Sequence, residues 1–152
     1  MTGQDNDGDQ TDQRSFDAVV ASAEAAVASL ADQYVGWVND DLHRLDTAVA
    51  AVTDGRVEGE SGKQVLTAVY DVAHDIKGQG STFGYDLVTE IAHLLCSYVT
   101  KAIQKQRVDR AVIDAHITAL RTVVDNRIRG SAGELGREIV DTLRNAAAKS
   151  LG

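Results

Sequence analysis

Not one of the 152 residues is proline. A chain without proline lacks the strongest helix breaker, and abundant Ala, Val and Leu with few aromatics favours long helices over turn-rich β structure. The apolar residues are spaced accordingly. Tyr34, Val38, Leu42, Leu45 and Val49 recur at intervals of three and four, which marks one face of an amphipathic helix. They follow Phe16, Val19, Val20, Val27 and Leu30 in a stretch that reads as helical from Ser15 to Val52. The pattern predicts a short leading helix near 15–30 and a longer one near 31–53, and leaves open whether the two are continuous.

Residues 54–62, DGRVEGESG, form the clearest internal loop, and Ser61 with Gln64 suggests a capping box. A helix is predicted from about Gly62 to Thr82, ended by Gly84 in the left-handed conformation. The next is expected from about Tyr85 to Gln104, with Val88, Ile91, Leu94, Leu95, Tyr98 and Ala102 as its buried stripe. Another is expected from about Asp109 to Arg129, built on Val112, Ile113, Ile117, Leu120 and Val124. Gly130 then separates it from a final helix signalled by Ser131 and Glu134, a second candidate capping box, with Ile139, Val140 and Leu143 as its apolar face. Short connections imply antiparallel neighbours. The expected fold is all-α: an antiparallel four-helix bundle with an additional N-terminal helix.

The length suits one domain, expected over 15–152, preceded by a disordered acidic tail over 1–14. A formal charge of -8 argues against a general nucleic-acid binder, because such a protein needs cations to displace the counterions condensed on phosphates. The single cysteine, Cys96, allows no intramolecular disulfide and no multi-cysteine metal site. The N-terminus shows no secretory pattern and no apolar run approaches a membrane span, so a soluble, cytoplasmic protein is expected.

The stretch from Ala73 to Gly84, AHDIKGQGSTFG, carries the chemistry. On a helical wheel Leu66, Val69, Ala73, Ile76 and Gly80 face the core, and Thr67, Asp71, His74, Gly78 and Ser81 gather on the opposite side. A glycine costs a helix interior roughly 1 kcal/mol relative to alanine. Gly78 lies on the wrong side to serve core packing, so its use is to let a partner surface reach His74 without obstruction, with Ser81 extending the same low surface. Lys77, three residues beyond His74, lies on the flank of this face. A largely neutral imidazole offers a ring-nitrogen lone pair as nucleophile, and a nearby cation stabilises arriving negative charge. An anionic group such as phosphoryl fits these residues.

This constellation resembles the histidine phosphotransfer (HPt) domains of multistep two-component phosphorelays. Their signature is an exposed histidine followed by a hydrophobic residue at +2, lysine at +3, glycine at +4, small residues near +6 and +7, and glycine at +10. The corresponding residues here are His74, Ile76, Lys77, Gly78, Gly80 with Ser81, and Gly84, with Phe83 before the last. Asp75 and Gln79 stand where Thr, Gln or Ser are frequent. The resemblance implies a phosphocarrier in which His74 attacks a receiver aspartyl phosphate, through Nε2 by analogy, and a second receiver aspartate removes the phosphoryl group. Lys77 would assist electrostatically, Asp71, Gly78, Gln79 and Ser81 would dock the partner, and Gly80, Phe83 and Gly84 would be structural. It further implies response-regulator receiver domains and a hybrid histidine kinase as partners, with Mg²⁺ supplied by the receiver and no intrinsic cofactor. No P-loop or kinase nucleotide motif is present, so ATP-dependent autophosphorylation is not expected.

Two other readings compete. Glu90-x-x-His93 has the spacing of di-iron helices, with Asp40-x-x-His43 and Asp71-x-x-His74 similar. Such a centre needs carboxylates and histidines converging inside the core, whereas His74 points outward, so no metal site is assigned. A degenerate, non-catalytic scaffold that binds receivers is the second alternative. His43, His93 and His116 read as surface or boundary residues, Cys96 as a small helix residue, and Trp37 and Tyr34 suit either the core or a partner groove.

Overall fold

The structure, a computed structural model, describes residues 6–151. It comprises α1 (Asn6–Ala50), β1 (Gly55–Arg56), α2 (Gly59–Gly80), a single 3-10 turn (Ser81–Phe83), α3 (Asp86–Lys105), β2 (Arg107–Val108), α4 (Arg110–Asp125) and α5 (Gly133–Leu151). The chain divides into two compact units, Met1–Tyr34 and Val35–Gly152. The boundary falls within α1.

The second unit is the all-α bundle. Helix α3 packs against α2, α4 and α5, and α4 packs against α5. The core is drawn mainly from the predicted stripes: Leu42 and Leu45 of α1, Leu66, Val69 and Ile76 of α2, Ile91 and Leu95 of α3, Ile113 and Leu120 of α4, Val140 and Leu143 of α5; Leu87 of α3 joins them, whereas Leu94, expected in the buried stripe, is half-buried. Each fully buried Leu or Ile contributes roughly 1.5–3 kcal/mol of transfer free energy, so these stripes dominate the stabilisation. Ion pairs from Arg44 to Asp75 and from Arg121 to Asp46 join α1 to α2 and α4 at the surface.

The two helices expected near 15–30 and 31–53 form one helix, α1. No residue between them stops propagation, and each added residue gains a backbone hydrogen bond without a new nucleation cost. The expected tail over 1–14 is also revised: residues 1–5 lie outside the described residues, and Asn6–Arg14 form the first turns of α1. Within these turns Gln13 Nε2–H donates to Asp17 Oδ1 at 3.1 Å.

Helix α2 begins earlier than the Ser61 signal suggested. Glu58 is its N-cap, with no side-chain capping bond, and Gly62 N–H already donates to Glu58 C=O at 3.0 Å. Antiparallel pairing of Gly55 with Val108 and Arg56 with Arg107, continued by Val57 N–H to Gln106 C=O at 2.9 Å, anchors this start. That long-range pairing has no local sequence signature. At α5 the shift is the other way: Ser131 is the expected cap, but the helix starts later, at Gly133, with Gly136 N–H donating to Ala132 C=O at 3.3 Å.

Helix α4 stops at Asp125 rather than near Arg129. Arg127 takes φ +50°, its N–H donates to Val124 C=O at 3.0 Å, and Ile128 N–H donates to Val123 C=O at 2.9 Å. These bonds form a Schellman closure with arginine where glycine is usual, which concealed it from pattern reading. At its other end Asp109 caps the helix by accepting from Ala111 N–H at 3.1 Å.

Candidate functional site

The exposed side of α2 carries the candidate site. Its core side buries Leu66, Val69, Val72, Ala73, Ile76 and Gly80. Helical periodicity then leaves Asp71, His74, Gly78 and Ser81 at the surface, and all four are exposed, as are Asp75 and Gln79. The His74 imidazole stacks on the Tyr70 ring one turn earlier, with centroids 5.9 Å apart and planes inclined by 23°. A Cβ at Gly78 would meet nothing within 4 Å. The surface C-terminal to His74 is therefore open. Lys77 is half-buried on the flank toward α3, where its charge reaches the Cys96 thiol.

The end of α2 is held by a compact junction. Thr89 Oγ1 donates to Lys77 C=O at 3.0 Å and accepts from Ser81 N–H at 2.8 Å, so one hydroxyl satisfies two backbone groups that the helix end would leave unpaired. Gly80 makes this approach possible: a Cβ there would lie 2.5 Å from Thr89 Oγ1 and 2.9 Å from Thr89 N. Gly84 has φ +85°, its N–H donates to Ser81 C=O at 3.1 Å, and its own carbonyl accepts from Gly130 N–H at 2.7 Å. Arg129 donates to Phe83 C=O at 3.2 Å and lies 5.7 Å from the Tyr85 ring centroid. This junction ties the α2–α3 turn to the loop after α4, giving His74 a rigid base.

Phe83 is half-buried and meets Trp37 of α1 edge-to-face, centroids 5.6 Å apart. Trp37 is 44% exposed and so lies outside the core, whereas Tyr34 is buried. Trp37, Asp40, Asp41, Gln79 and Phe83 line a shallow hollow on the same side of α2 as Gln79. Arg44 pairs with Asp41 at 3.0 Å and with Asp75 at 3.7 Å, completing an α1–α2 seam beside the histidine. Tyr70, Arg44 and Thr89 are not among the residues singled out from the sequence, where Trp37 suits either the core or a partner groove. Only Trp37 carried a usable signal, as a tryptophan on a helix whose apolar stripe is complete without it.

The remaining candidates lie elsewhere. His43 and His93 are exposed, but His116 is fully buried, a correction to its surface or boundary reading. Its Nδ1–H donates to Val112 C=O at 2.7 Å, its ring stacks on Tyr98, and burial holds its pKa below the ordinary 6.5. Burial pushes the Cys96 thiol up to about 11, partly opposed by Lys77. Among the described residues no three His, Cys, Asp or Glu side chains converge in a way that could hold a metal ion.

The Hpt domain model matches residues 29–148. The chain belongs to the Hpt domain family. The match spans α2 to α4 entirely, most of α5 and the C-terminal part of α1, so the bundle and its exposed histidine both fall within the Hpt domain. Membership gives the protein a general role in histidine phosphotransfer within phosphorelays, where Hpt domains interact with receiver domains. No curated protein and no solved structure shows a significant match to this Hpt chain. Among the described residues no helix is long and apolar enough to cross a membrane.

Proposed function

We propose that His74 is the phosphoryl acceptor of this Hpt domain, taking the group from a receiver aspartyl phosphate and passing it to a second receiver aspartate. The observation that carries this reading is an imidazole exposed on α2 with nothing above Gly78 one turn on. In the forward step the Nε2 lone pair forms the N–P bond as the P–O bond to the aspartate breaks, and that electron pair leaves with the carboxylate. The return step reverses these changes at the second receiver. Stacking on Tyr70 restricts the ring, and the Thr89 junction fixes the helix beneath it, so the nucleophile is positioned before the partner arrives.

Lys77 adds positive charge beside the transferring phosphoryl group. Asp71, Gly78, Gln79 and Ser81 meet the receiver surface, and Gly80, Phe83 and Gly84 hold the turn that supports them. The Mg²⁺ that transfer requires belongs to the receiver, and the reaction takes place in the cytoplasm. A hybrid histidine kinase supplies the phosphorylated receiver.

Incubation with a phosphorylated receiver domain tests the assignment. The expected product is an acid-labile, alkali-stable label that His74→Gln abolishes while receiver binding persists. Absence of label from several receivers, with fold and binding intact, would instead identify a receiver-binding scaffold.

A further inference from the structure

Phe16, Val19, Val20, Val27 and Leu30 form an exposed apolar stripe on α1. They are 63, 68, 38, 60 and 45% exposed, and all lie within the first compact unit. The Hpt match begins at residue 29, so four of the five precede it. Contiguous apolar surface of this kind on a soluble domain marks an interaction face.

The spacing specifies what shape fits there. Phe16, Val20, Ala23, Val27 and Leu30 recur by alternate steps of four and three, the 3.5-residue period of a coiled-coil seam. Val20 and Val27 occupy one set of seam positions as β-branched residues, and Phe16, Ala23 and Leu30 the other. Such a seam accepts the knobs of a second helix.

Charge specifies the partner. Residues 1–34 contain seven acidic side chains and one basic, Arg14, whereas the rest of the chain is nearly balanced with sixteen and fourteen. The seam is flanked by Asp12, Asp17 and Glu24, with no lysine or arginine at any flanking position. A parallel second copy would set Asp12 against Asp17 of the other chain and offer no compensating cation. An anionic lipid surface would be repelled likewise. We propose that this face docks an amphipathic helix of a partner protein, with an apolar seam flanked by lysine or arginine.

The test uses the full chain and a synthetic helical peptide of about four heptads, with Val and Leu in its seam and Lys at the flanking positions. A second peptide carries Glu in place of Lys. The expected result is binding of the Lys peptide alone, weakened about tenfold or more when salt rises from about 0.05 to about 0.5 M. Val20→Ala combined with Val27→Ala, which preserves helix propensity, should abolish that binding without changing the circular dichroism spectrum. Equal binding of both peptides, or binding of neither, overturns the proposal. Sedimentation showing a dimer of the chain alone that Val20→Ala with Val27→Ala dissolves also overturns it, because the occupant is then a second copy.

Discussion

Gly78 and Gly80 stand two residues apart in α2 and face opposite demands. A Cβ at Gly78 would meet nothing within 4 Å, whereas one at Gly80 would lie 2.5 Å from Thr89 Oγ1 and 2.9 Å from Thr89 N. The first glycine keeps a surface open and the second lets two helices close together. Both follow from a missing side chain, but only Gly80 serves packing.

Alanine substitution separates these roles. Gly80→Ala should destabilise the fold by about 1–3 kcal/mol, because the Thr89 backbone must move to admit the methyl group. Gly78→Ala should stabilise it by about 0.5–1 kcal/mol through helix propensity. It should nevertheless slow phosphoryl transfer from a receiver. Urea denaturation of both variants, with transfer kinetics for Gly78→Ala, checks these opposite signs.

Thr89→Val preserves shape and removes the hydroxyl that joins Ser81 N–H to Lys77 C=O. The expected loss is about 1–3 kcal/mol, since two backbone groups at a helix end lose their protein partner. Amide exchange should show faster opening at Ser81 than in the parent protein, while protection in α4 stays unchanged relative to global stability.

His116 makes stability depend on pH. Its folded pKa is held below the ordinary 6.5 by burial, so the unfolded chain binds the proton more readily. The stability it permits is fully present above about 6.5 and declines as pH falls from there toward the lower folded value. His116→Leu should flatten the fall in urea midpoint between about pH 7.5 and about pH 5. An unchanged slope in that variant would assign the pH dependence to other groups.

Cys96 should be inert in the folded protein. The thiol is buried and its pKa is pushed up to about 11, so almost no thiolate exists at neutral pH. Labelling with a thiol reagent at pH 8 should proceed only as fast as the bundle opens, and denaturant should restore a full single-site reaction.

The sequence by itself determined the class of fold and the identity of its candidate chemistry. Apolar steps of three and four set which face of each helix is buried, and that phase alone leaves His74, Gly78 and Ser81 on the outer side of α2. Both are consequences of the 3.6-residue period and need no knowledge of neighbours. The departures occur where distant residues decide a local outcome. The start of α2 at Gly59 depends on the pairing of Gly55 and Arg56 with Val108 and Arg107, and the end of α4 on a Schellman closure through Arg127. The burial of His116 and the Trp37–Phe83 contact depend on which helices meet and at what height. Periodicity reports direction around a helix axis and says nothing of which surface lies opposite, so only the tertiary packing could choose those partners.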